Sequence, residues 1–144
     1  IYKKRCASCH KLFGDGEKIG PDLTGSGRGN IDYALQNIVT PSAVVAAGFQ
    51  VSVIATVAGR IVTGVVTMES EQVLLVQTDK EQIRLPVSEV DVIRKSNQSL
   101  MPENLLKDLT DEQIRNLIAY LASPVQVPVS AEDDTTDAKD IADK

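Results

Sequence analysis

Tryptophan is missing from this chain of 144 residues, and all aromatic residues together make up 3% of it. The large rings that usually fill a protein interior are therefore scarce, which leaves room for a bulky cofactor to take their place. Histidine occurs once, as His10, and cysteine twice, as Cys6 and Cys9. A site built from two histidines is thereby excluded. A closed structural zinc site needs four ligands, and only three candidates are present, with no second Cys pair. No apolar run approaches the roughly 18 residues that a membrane span requires. There is no initiator Met and no signal peptide, as expected of a processed chain or a domain cut from a longer protein.

Enough apolar material exists for a core, at 42% of the chain. The net charge of -5 is unevenly spread. Residues 1–49 carry Lys3, Lys4, Arg5, Lys11, Lys18 and Arg28 against four acids. Residues 124–144 hold Glu132, Asp133, Asp134, Asp137, Asp140 and Asp143 against Lys139 and Lys144, so the tail accounts for most of the acidity. The body is nearly neutral, and no nucleic-acid footprint is visible.

Four pieces follow one another. Residues 1–49 read as helical with loops. A Gly-rich stretch, "SCHKLFGDGEKIGPDLTGSGRG", precedes a helix that Asn30 caps and Pro41 stops. Residues 49–95 are rich in Val, Ile and Thr and read as antiparallel strands over 50–57, 60–68, 72–78, 82–86 and 90–94, enough for a small sheet or barrel. Its bases (Arg60, Lys80, Arg84, Arg94, Lys95) balance six acids. Residues 99–123 return to helix, with Thr110 and Gln113 as a capping box and Ile114, Leu117, Ile118 and Leu121 as an apolar stripe. Residues 124–144 read as a disordered acidic tail or linker.

All the cysteine and histidine lies in "CASCH", residues 6–10. C-x-x-C-H is the attachment pattern of a c-type haem. Two thiols three positions apart reach both vinyl groups on one porphyrin edge, and the adjacent imidazole points at the iron. Other readings stay open. A thioredoxin-type pair would follow a strand in an α/β unit, and no such pattern is present. A simple disulfide between Cys6 and Cys9 needs no His10.

A haem carrier also wants a sixth ligand. With no second histidine, the strong candidates are the thioethers of Met68 and Met101. Met68 sits in a strand pattern, "GVVTMESE". Met101 precedes Pro102, which keeps it out of the α region in a stiff loop suited to aiming one sulfur. In "KIGPDLTG", Pro21 is placed to offer a carbonyl to His10 Nδ1, or else forms an ordinary Gly-Pro turn. Phe13, Leu23, Leu35, Ile38, Leu105, Ile114, Leu117 and Leu121 are candidates for an apolar shell.

"CASCH", "GPDLTG", "SLMPENL" and "LTDEQIRNLIAYL" together resemble class I cytochrome c domains. With "NIVTPSAVVAAGFQ" and the β-rich stretch, residues 1–123 are similar to the haem-binding domain of planctomycetes and verrucomicrobia, in which a β-rich segment interrupts the haem-binding helices. The resemblance implies a mainly α cytochrome c fold over 1–48 and 96–123, with a small antiparallel β sheet or barrel inserted at 49–95, α+β overall. It implies one haem c bound covalently through Cys6 and Cys9, His10 and Met101 as axial ligands to the iron, and Pro21 bonded to His10. It also implies electron transfer rather than catalysis, a periplasmic or exported location, and a redox partner protein or a fused dehydrogenase domain. Only "IYKKR" precedes the first cysteine, so the N-terminal helix expected of such domains is either short or trimmed here. Two alternatives belong to other classes: a haem-based sensor with a displaceable Met101, and a haem-free interaction domain.

Overall fold

The computed structural model describes residues 1–128. Most of the expected acidic tail therefore lies outside the described residues.

Helix α1 is a single turn, Tyr2–Arg5, immediately before Cys6. Helix α2, Ile31–Val39, starts where the Asn30 side chain accepts the Tyr33 backbone N–H at 3.1 Å, satisfying an otherwise orphaned donor. It stops at Thr40, just ahead of Pro41. Helix α3, Asp111–Ala122, opens with a reciprocal capping box: Thr110 Oγ1 accepts from Gln113 N–H, and Gln113 Oε1 accepts from Thr110 N–H. Its inward stripe buries Leu117, Ile118 and Leu121.

Between α2 and α3 lie five strands: β1 (Gln50–Thr56), β2 (Ile61–Glu69), β3 (Val73–Gln77), β4 (Gln82–Pro86) and β5 (Val90–Ser99). They form one antiparallel sheet in the order β4-β3-β2-β1-β5, with β4 and β5 at its edges. A 3-10 turn, Val87–Glu89, joins those two edge strands. Bulges interrupt the β1–β5 and β2–β3 ladders and bend the sheet. The sheet closes over its own apolar face: Ile54, Val62, Leu74, Val76 and Leu85 form its core, with Val66, Ile83, Val87 and Val90 against them.

A second core is built separately by the terminal segments. Tyr2, Leu12, Leu117, Ile118 and Leu121 are buried together, and Cys6, Ala7, Phe13, Leu23, Leu35, Ile38 and Ile114 pack on them. The Tyr2 and Tyr120 rings meet at 5.4 Å, so even the one-turn α1 reaches the terminal helix.

The expectation of a mainly α fold is corrected. Strand residues outnumber helical ones among the described residues, which hold only three α-helices. Three physical reasons account for the difference. Residues 11–29 are the expected Gly-rich loop, with Phe13, Gly14 and Gly16 in left-handed backbone conformations, and add no helix. Residues 100–109 are also turns, with Pro102 and a left-handed Asn104 breaking any helix there. Strand β5 runs on to Ser99, past the expected end at 94, because Gln50 still pairs with Ser99 across a bulge.

Candidate functional site

The winding of α1 continues through the CxxCH segment. Cys6 N–H donates to the Tyr2 carbonyl at 2.8 Å, Cys9 N–H to the Cys6 carbonyl at 3.0 Å, and His10 N–H to the same Cys6 carbonyl at 2.8 Å. A chain wound this way gathers residues three and four apart onto neighbouring positions. Cys6 and Cys9 are both free thiols and both half-buried. Burial pushes the Cys6 thiol up to about 11. That direction runs against a redox nucleophile, which needs a lowered thiol pKa.

The loop after His10 folds back over it. Glu17 N–H donates to the Ala7 carbonyl, Gly20 N–H to the Cys9 carbonyl, and Leu23 N–H to the Lys11 carbonyl. These bonds bring Pro21 beside the imidazole, where His10 Nδ1 lies 2.8 Å from the Pro21 carbonyl oxygen. A carbonyl oxygen only accepts, so Nδ1 carries the proton of the neutral ring and the Nε2 lone pair is left free. The ring lies flat against Gly20: a Cβ at that position would stand 2.6 Å from Cε1 and 2.9 Å from Nδ1. Gly16, at φ +100°, is equally constrained, since a Cβ there would run into the His10 carbonyl oxygen. On the far side, the Tyr2 hydroxyl donates to that same carbonyl at 2.9 Å. Burial raises the Tyr2 phenol to about 12, so it remains a donor throughout the neutral range.

Cys6, Cys9, His10 and Pro21 are thus gathered into one cluster. Met101 belongs to a separate segment, after the sheet. It is half-buried, two residues beyond the end of β5, and its N–H donates to Ser99 Oγ at 3.1 Å. Met68 is exposed on β2. The segment after Met101 meets the motif through Arg5, whose guanidinium donates to the Leu105 carbonyl at 2.6 Å, and through Leu106 and Leu109, which pack on the core that includes Cys6 and Ala7. Leu105 and Leu106 also line a shallow cavity between α2 and this segment, together with Ile38 and Val39.

Three residues in this arrangement escaped the sequence reading. Arg5 looks like its neighbours Lys3 and Lys4 in a basic run, and nothing local distinguishes it. Tyr2 stands out only as a ring four positions before Cys6. Arg28 reaches across the chain to the Leu121 and Ser123 carbonyls at the end of α3, donates to the Leu23 carbonyl through Nε at 3.0 Å, and lies 4.7 Å over the Phe13 ring. It closes the C-terminal end of α3, where unpaired carbonyls need donors.

The donor set fits a c-type haem: two thiols, an imidazole with a free Nε2, and a cradle a single methyl group would fill. Among the described residues, no group of three or more His, Cys, Asp or Glu side chains is gathered as a metal-ion site. No helix among them is long and apolar enough to cross a membrane. No curated protein sequence matches the chain. The Cytochrome c family model matches residues 1–73, from α1 and the CxxCH segment through α2 and the first two strands. That is just over half of the chain, and it contains the oriented imidazole and both thiols; the chain belongs to the cytochrome c family, whose members bind haem covalently and carry electrons.

Proposed function

We propose that this domain is a monohaem electron carrier in which Cys6 and Cys9 form the two thioethers, His10 is the proximal ligand and Met101 the opposite axial ligand. The observation that carries the reading is the His10 ring: held at Nδ1 by Pro21, seated on Gly20, and left with a bare Nε2 beside two free cysteines. Bound haem supplies a one-electron ferric/ferrous couple. The chain's own residues orient and protect it. Pro21 fixes the imidazole tautomer and makes Nε2 a stronger donor. Phe13, Leu23, Leu35 and Ile38 supply apolar surface beside the motif and keep water from it. A thioether from Met101 is a soft ligand that raises the reduction potential.

Two ligands leave no open position, so the domain passes electrons and does not activate small molecules. Thioether attachment is made outside the cytoplasm, which points to a periplasmic or exported protein. The sheet inserted between the motif and Met101 supports placing the domain with the planctomycete and verrucomicrobial haem-binding group. In that setting the partner is a redox protein or a fused dehydrogenase domain. The bases near the motif, Lys3, Lys11 and Lys18 among them, would attract an acidic partner.

Protein made with a cytochrome c maturation system should give a pyridine haemochrome spectrum of one haem. Met101→Ala should abolish the sulfur-to-iron charge-transfer band of the oxidised protein, and Met68→Ala should leave it. The reverse result overturns the ligand assignment. Rapid, complete carbon monoxide binding by the reduced protein would instead establish a sensor with a displaceable methionine.

A further inference from the structure

The chain leaves the terminal core for the sheet after α2 and returns from it at Ser99, two residues before Met101. Both crossings are tied together there. Ser99 N–H donates to Ser42 Oγ at 3.2 Å, and Met101 N–H donates to Ser99 Oγ at 3.1 Å. Ser42 belongs to the outgoing connection just beyond Pro41, and Ser99 is the last residue of β5, paired to Gln50 at the start of β1. Ser42, Ser99 and Met101 are all half-buried.

We infer that Ser42 and Ser99 are positioning residues for Met101, and that the inserted sheet serves the redox site by holding the loop that carries this ligand. The inference rests on the reading of Met101 as an axial ligand. Its basis is mechanical. Strand β5 pairs with β1 as far as Lys95 and, beyond a bulge, again at Ser99, and it ends on the hydroxyl that fixes the Met101 backbone. The second bond ties that end to the connection leaving α2, so the loop is referenced to both cores. Without the brace, Met101 would hang from a free strand end, with Pro102 and the left-handed Asn104 as the next constraints. A loop so held keeps its sulfur in place at little entropic cost, because the backbone is already ordered when the ligand bond breaks and re-forms.

The test uses the matured holoprotein and the rate at which imidazole replaces methionine on the ferric form, which is set by opening of the Met101 loop. Loss of one neutral hydrogen bond changes such an equilibrium by roughly 3- to 10-fold. Ser99→Ala should speed imidazole capture by about that factor and deprotect the Met101 amide in hydrogen exchange. Ser42→Ala, which removes only the second bond, should act in the same direction. Ser99→Thr keeps the hydroxyl and should restore the parent rate. Thr110→Ala, which loosens the cap of α3, controls for general loss of stability and should not alter the capture rate. Unchanged capture in both Ser99→Ala and Ser42→Ala, with the charge-transfer band still lost in Met101→Ala, overturns the brace and spares the ligand reading. A band that survives Met101→Ala overturns both.

Discussion

Replacing Gly20 with alanine tests how tightly the proximal imidazole is held. The added Cβ would stand 2.6 Å from Cε1 of His10 and 2.9 Å from Nδ1. Carbon atoms rest about 3.5–4.0 Å apart, so the ring must retreat by about 1 Å. Because the ring turns its face to Gly20, that retreat runs across the Nδ1–Pro21 bond, now 2.8 Å, lengthening it to about 3.0 Å and bending it by about 20°, which weakens it. Weakening that bond costs up to about 1 kcal/mol, and overpacking adds about 1–3 kcal/mol. Gly20 does not have a left-handed backbone, so the penalty is steric rather than conformational. The variant should unfold about 1–4 kcal/mol more easily in guanidinium chloride than the parent. It should also show a higher midpoint potential, because an imidazole with a bent, weakened carbonyl bond is a poorer donor to ferric iron. A variant matching the parent in both stability and potential would refute the close seating of His10 on Gly20.

Other perturbations probe the frame around the site. Arg28→Ala removes the charged donor that closes α3 and its contact with Phe13; thermal unfolding should report a loss of about 2 kcal/mol, and a neutral result would mean that water replaces the guanidinium without cost. Ile54 is wholly buried in the sheet core, so Ile54→Ala should cost about 2–5 kcal/mol, read as loss of amide-exchange protection across β1 to β4. The Asp22 carboxyl is held below its ordinary value of 3.8, first by its hydrogen bonding to Thr24. A carboxyl lowered on folding contributes stability above its unfolded pKa and loses it as pH falls through the folded value. The acid limb of the stability profile below about pH 4 should therefore flatten in Asp22→Asn, and an unchanged limb would mean that Asp22 takes no part in it.

What the sequence revealed was chiefly local. Asn30, Thr110 with Gln113, and the Leu117, Ile118 and Leu121 stripe are caps and periodicities fixed within a few residues, and all appear where expected. The strands were legible for the same reason: short Val- and Ile-rich runs between turn residues announce themselves. Non-local effects were not legible. The end of β5 depends on a bulge against Gln50, 49 positions earlier in the chain. Arg5 and Arg28 find partners about a hundred residues on, through backbone carbonyls that carry no residue signature. The overestimate of helix came from the resemblance, which implied a mainly α fold, whereas loops turned by left-handed Phe13 and Asn104 take up much of the chain outside the sheet. At the site, CxxCH was plain from the spacing of Cys6, Cys9 and His10. The close approach of Gly20 to the imidazole was not, because it depends on how the loop returns.

The central claim is covalent attachment of one haem at Cys6 and Cys9 with His10 on the iron. Intact-mass spectrometry of protein expressed with a cytochrome c maturation system, followed by peptide mapping, tests it most directly. The account predicts a mass increase of one haem, carried on the peptide containing residues 6–10 and lost in a Cys6→Ser, Cys9→Ser double variant. A parent protein with unmodified mass and two alkylatable thiols, made in cells that mature a control cytochrome, would contradict it.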